Sequence, residues 1–154
     1  MNEAIACDHE TDFAIWIDAQ IALLREKKFE QLDLDNLIDE LDSMGISQKR
    51  ELLHRLETLI MHLLKCQYQS KRISNNWLGT VYEQRRRIDS LLDVSPSLAR
   101  LLSDDIAKAY PHAVSRAATE ARLSHSAFPV SCPYSVEQLL DMDYFPPSVG
   151  PSVP

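Results

Sequence analysis

Seven aliphatic residues at helical spacing, Leu52, Leu53, Leu56, Leu59, Ile60, Leu63 and Leu64, dominate the middle of the chain. Residues three, four and seven apart share one face of an α-helix, so this run dictates a long amphipathic helix with a wide apolar stripe. Leaving such a stripe in water is costly, and other elements must cover it. With only 3 glycines in 154 residues and no strand-like alternation, those elements are helices too. The length suits one domain that buries about two-thirds of its unfolded surface without a disulfide or metal staple. The expected fold is therefore all-α: a single-domain antiparallel helical bundle of five to seven helices over residues 12–146. A flexible segment, 1–11, precedes it. A disordered tail, 147–154, follows, because "PPSVGPSVP" offers nothing to pack.

The element limits come from caps and breakers. Asp12 stands where an N-cap belongs, before "FAIWIDAQIALLREKKF", whose expected buried face is Phe13, Trp16, Ile17, Ile21 and Leu24. Arg25, Lys27 and Lys28 suit the negative end of that helix. Leu34, Leu37, Ile38, Leu41 and Met44 line one face of a second helix that is expected to stop at Gly45. Ser47 would then cap a third helix reaching Tyr68. "SKRISNN" reads as a turn, with Ser74 or Asn75 capping a helix whose stripe is Trp77, Val81, Gln84, Ile88 and Leu91. Ser95 followed by Pro96 opens the next helix. Pro111 is expected to split or kink it, since proline removes one helical hydrogen bond. Ser135 and Gln138 carry the signature of a capping box on a short last helix.

Charge and cysteines narrow the functional classes. A net charge of −7 and a pI near 5.1 oppose whole-surface attraction to nucleic acid or an anionic membrane. Cys7, Cys66 and Cys132 are odd in number and scattered, which fits a reducing cytoplasm better than a disulfide framework or a zinc knuckle. The acidic N-terminus lacks signal-peptide character, and no apolar run approaches the ~18 residues of a membrane span. A cytoplasmic location is the expectation.

The order of segments carries a resemblance. "DFAIWIDAQIALLR", "DLDNLIDELDSMG", "LIMHLLKCQYQ", "NNWLGTVYEQRRRI", "SPSL" and "CPYSVEQLLD" follow one another between about residues 10 and 146. No one of these is specific alone, but in this order they resemble the bacterial domain of unknown function 29 family. The resemblance implies an α-helical bacterial cytoplasmic protein, and it brings no established activity, substrate or cofactor. Two departures concern packing: Cys66 stands where the family pattern has an aromatic residue, and Pro111 is unusual.

Several constellations could carry chemistry. On the helical wheel His62 lies at the margin of the stripe and His54 on the solvent side. If the preceding helix ran antiparallel, Glu40 would approach His62. The pair could then bind a metal or move a proton, or simply satisfy two half-buried polar groups. Paired Glu-x-x-His motifs, the usual mark of a metal site in a bundle, are missing, so Glu40, His54 and His62 are weak metal candidates. "CDHE" at Cys7 to Glu10 holds three ligand types but no preorganising scaffold. Six acids and no base occupy residues 30 to 42, which suggests a solvated or partner-facing acidic surface. Lys71, Arg72, Arg85, Arg86 and Arg87 form a basic segment, but three consecutive arginines fan around a helix. Trp77 would add a stacking surface if exposed, and Gln84 is a polar residue at a core position that needs partners. No nucleophile elbow, phosphate-cradling loop or activated cysteine is recognisable, so neither a catalytic residue nor a cofactor is expected.

The leading expectation is a non-enzymatic interaction or regulatory module with a protein partner or self-association, and neither a nucleic acid nor a membrane. Glu40, His62, Trp77, Gln84 and Arg85 are its candidate binding residues. A metal- or small-ligand-binding protein built on Glu40 and His62 is the alternative, and nucleic-acid association through residues 71–87 is the second.

Overall fold

The computed structural model describes residues 8–69 and 75–147. Among them it holds five α-helices, three short 3-10 segments and no strand. The fold is all-α. The helices are α1 (Phe13–Arg25), α2 (Leu34–Tyr68), α3 (Asn75–Val94), α4 (Leu102–Ala121) and α5 (Val136–Leu140). The 3-10 segments are Phe29–Gln31, Pro96–Leu101 and His125–Ala127. No helix among the described residues is long and apolar enough to cross a membrane. The chain divides into two compact units, Met1–Ser47 and Gln48–Pro154.

The local signals at the ends of α1 and α5 act as expected. An Asp12 carboxylate oxygen accepts from the Ile15 amide at 3.1 Å. At α5 the Ser135 hydroxyl accepts from the Gln138 amide at 3.1 Å, and the Gln138 side chain accepts in return from the Ser135 amide at 3.0 Å.

Two expected breaks do not occur. Gly45 does not end a helix, and Ser47 does not start one: α2 runs unbroken for 35 residues. A glycine inside a helix costs only about 1 kcal/mol, and Gly45 keeps a negative φ. Pro111 likewise lies inside α4, which is one helix, so of the split or kink expected there the split does not occur. Ser95 and Pro96 do stand at the N-cap and first position of the next element, a 3-10 turn, but the Ser95 hydroxyl donates to Gln48 at 3.0 Å instead of capping it. The expected cap at Ser74 falls outside the described residues, as does the tail from residue 148 onward.

The C-terminal unit contains the core. Leu52, Leu56, Leu59, Ile60, Leu63 and Leu64 of α2 are fully buried, with Val81 and Ile88 of α3, Ala113 and Ala117 of α4 and Leu139 of α5. Burial extends beyond the expected stripe to Met61, Lys65 and Cys66. The stretch of α2 from 58 to 66 is covered nearly all the way round, as a segment at the centre of a bundle is. The lysine is tolerated because its ammonium reaches Glu120 at 2.7 Å and lies over the Trp77 ring, 4.6 Å from the centroid.

The N-terminal unit is built differently. Its tie is polar and aromatic, and Trp16 and Gln20 are its only buried residues among those described. The Trp16 indole N–H donates to Asp33 at 3.0 Å. Gln20 accepts from the Asp33 amide at 2.9 Å, and the Asn36 side chain donates to the Asp33 carboxylate at 2.8 Å. Those bonds, Asn36 first and Trp16 second, hold the Asp33 carboxyl below its usual range. His9 adds an edge-on contact to Trp16 and a 2.6 Å bond to Glu40.

Candidate functional site

The residues singled out in the sequence do not converge. Glu40 and His62 lie on the same helix, α2, instead of on two antiparallel ones, because the chain passes straight through Gly45. Glu40 takes His9 as its partner. His62 is half-buried beside Lys65, Arg116 and Glu120, and its Nδ1 is buried with no hydrogen-bond partner. Burial pushes its pKa down, Lys65 and Arg116 push the same way, and Glu120 pulls upward. Glu120 itself is held low because it accepts from Lys65. His54 is exposed on the same helix. No group of three or more His, Cys, Asp or Glu among the described residues is arranged to hold a metal ion.

The basic segment separates into unlike parts. Arg85 is fully buried, and its Nε donates to the Leu139 carbonyl at 2.7 Å and one Nη to the Gln138 carbonyl at 3.1 Å. Arg85, one of the candidate binding residues, is thus engaged inside the protein: these helix-end carbonyls draw the guanidinium inward. Arg86 and Arg87 are exposed and share Glu83 at 3.0 and 2.8 Å. Gln84 is buried, as its stripe position demands, and accepts from Arg55 at 3.4 Å. Trp77 is half-buried beneath Lys65.

What sequence reasoning missed is a surface. The apolar residues of α1 and the first half of α2 were expected to be covered, but most are not. Between residues 13 and 46, ten large hydrophobic side chains are 40 to 68 % exposed, whereas only four others are exposed in the remaining described chain. On α2 Leu34, Ile38, Leu41 and Met44 lie within about a 120° arc at 100° per residue, and all are exposed. Asp35, Asp39 and Asp42, also exposed, form the adjacent row one residue on. Asn36 and Glu40 occupy the far side, where they bond Asp33 and His9. The tie to α1 therefore uses the polar side of α2 and leaves the apolar side open. Residues 1–47 contain 12 acidic and 3 basic side chains, while residues 48–154 contain 11 and 13. All of the net negative charge thus belongs to the unit with the open apolar face. The run of acids was visible in the sequence, but nothing in it indicated that the leucines beside it would stay uncovered.

Two comparisons, with the curated proteins and with the solved structures, find no match to the chain. The sequence profile of the family described as "Domain of unknown function DUF29" matches residues 9–145, and the chain belongs to that family.

Proposed function

For this member of the DUF29 family, we propose a non-enzymatic interaction module whose N-terminal unit docks a protein partner presenting a basic, apolar helix. The observation that carries the reading is the concentration of exposed large hydrophobics between residues 13 and 46. Proteins seldom leave such residues grouped in water unless something covers them. An apolar row bordered by a row of carboxylates accommodates an amphipathic helix with anchors three and four residues apart and lysines or arginines along one edge. The −9 formal charge over residues 1–47 favours a cationic partner over a second copy of the same unit.

Affinity capture from the source cells tests this, with the wild-type chain set against the triple variant Leu34→Ser, Ile38→Ser, Leu41→Ser. A stoichiometric protein that is retained by the wild type, lost by the variant and released as salt rises supports the reading. The same proteins recovered with both baits, or none with either, would defeat it.

A further inference from the structure

We propose that the pocket formed by Phe13, Trp16, Asp33 and Glu40 receives an arginine side chain of a second protein, and that His9 fills it as a displaceable stand-in. The site lies wholly in the N-terminal unit. It uses Glu40, on the far side of α2, so it does not require the open apolar face to be a docking surface.

The walls of the pocket select a cation. Phe13 and Trp16, one turn apart on α1, are stacked with ring centroids 5.8 Å apart, and the face of an aromatic ring attracts positive charge. Asp33 stands at the edge of the Trp16 indole, whose N–H it accepts at 3.0 Å, and Glu40 reaches in from α2. The Asp33 carboxyl, held low chiefly by Asn36 and Trp16, is lowered further by the nearby His9. No lysine or arginine among the described residues bridges either carboxylate.

The group in place shows what shape and bonding the pocket accepts. The flat His9 ring stands at 82° to both aromatic planes, 5.3 Å from Phe13 and 4.6 Å from Trp16 between centroids. Its Nε2 donates to Glu40 at 2.6 Å. A guanidinium is likewise flat and donates through N–H groups, and it adds a permanent charge and a second bond to the carboxylate. An ammonium is not flat, and a quaternary ammonium has no donor for Glu40. His9 is also placed to leave. Its side chain is 20 % exposed, and it is carried by a turn whose Glu10, Thr11 and Asp12 amides bond back to Asp8. Rotating the ring out breaks one hydrogen bond and no helix.

The probe is acetylarginine methylamide, titrated to millimolar concentration into the full chain and followed by NMR. Residues 9–16 and 33–40 and the Trp16 indole N–H should shift. At saturation the His9 ring signals should move to those of a solvent-exposed histidine. The flat but uncharged citrulline analogue should leave all of them unmoved, and the lysine analogue should bind about tenfold more weakly. Glu40→Gln should weaken the arginine probe about tenfold. His9→Ala empties the pocket in advance and should tighten it about tenfold, because a pocket that is filled most of the time binds with a reduced apparent affinity. A purely structural histidine would give no such gain. Absence of shifts with the arginine probe, their reproduction by the citrulline analogue, or undiminished binding to Glu40→Gln overturns the site. His9 signals that stay in place at saturation, or a His9→Ala affinity no better than that of the wild type, overturn the stand-in. Equal binding of the arginine and lysine analogues overturns the choice of a guanidinium.

Discussion

Replacing Leu34, Ile38 and Leu41 together by serine sets the open face against the core in one measurement. If these side chains packed as their helical spacing suggests, each truncation would cost about 2–5 kcal/mol, and the three about 6–15. That is the whole stability of an ordinary domain, and the variant would not fold. In the structure the three are 57, 54 and 65 % exposed. Substitutions at such positions usually stay within about 0.5 kcal/mol each, so the expected loss is at most about 1.5 kcal/mol. For a chain of this size that lowers the melting temperature by about 3–6 °C. Leu63→Ala on the same helix is the internal control: Leu63 is fully buried, and its truncation should cost about 2–5 kcal/mol. Urea denaturation followed by circular dichroism, repeated over a range of protein concentrations, gives both numbers. A triple variant that loses more than about 4 kcal/mol would refute the reasoning, because the face would then be covered in the isolated folded protein.

Arg85→Met keeps the bulk of the side chain but removes its bonds to the Gln138 and Leu139 carbonyls. The loss should be about 2–4 kcal/mol by denaturation, with faster amide exchange in α5. Trp16→Phe retains the ring but deletes the 3.0 Å bond to Asp33. It should cost about 1–3 kcal/mol locally, read as faster amide exchange in residues 13–40 against unchanged exchange in α4. His62 predicts a pH dependence. Its folded pKa is depressed, so below the ordinary value of 6.5 the unfolded chain binds more protons than the folded one, and stability falls as the pH drops. The melting temperature of the wild type should decline from pH 7.5 to 5.5, and His62→Gln should flatten that part of the profile. A profile unchanged by the substitution would contradict the assignment.

The core was legible where one physical pattern settled it. Leu52 to Leu64 repeat at helical spacing, and all but the partly buried Leu53 are buried; of Trp77, Val81, Gln84, Ile88 and Leu91, placed on the inner stripe of α3, all but the half-buried Trp77 are too. The caps at Asp12 and Ser135 were readable because a short polar side chain before an apolar run has few other uses. Gly45 misled because glycine's preference for helix ends is a statistical tendency of about 1 kcal/mol, which a long helix absorbs. With that break gone, Glu40 and His62 became residues of one helix. Arg85 could not be found by periodicity, since the partners that draw it inward are backbone carbonyls more than fifty residues away. The same limit hid the open apolar face: spacing says which residues share a side of a helix, not whether anything else in the chain covers it.

Photo-crosslinking from the face tests the central claim most directly. With benzoylphenylalanine at position 41, exposed on the acid-bordered row, the chain should give one covalent adduct of defined mass in the source cells. The same group at position 108, exposed on α4, should give none. Equal adduct patterns from the two positions, or no adduct at position 41, would contradict a docking role for the N-terminal unit.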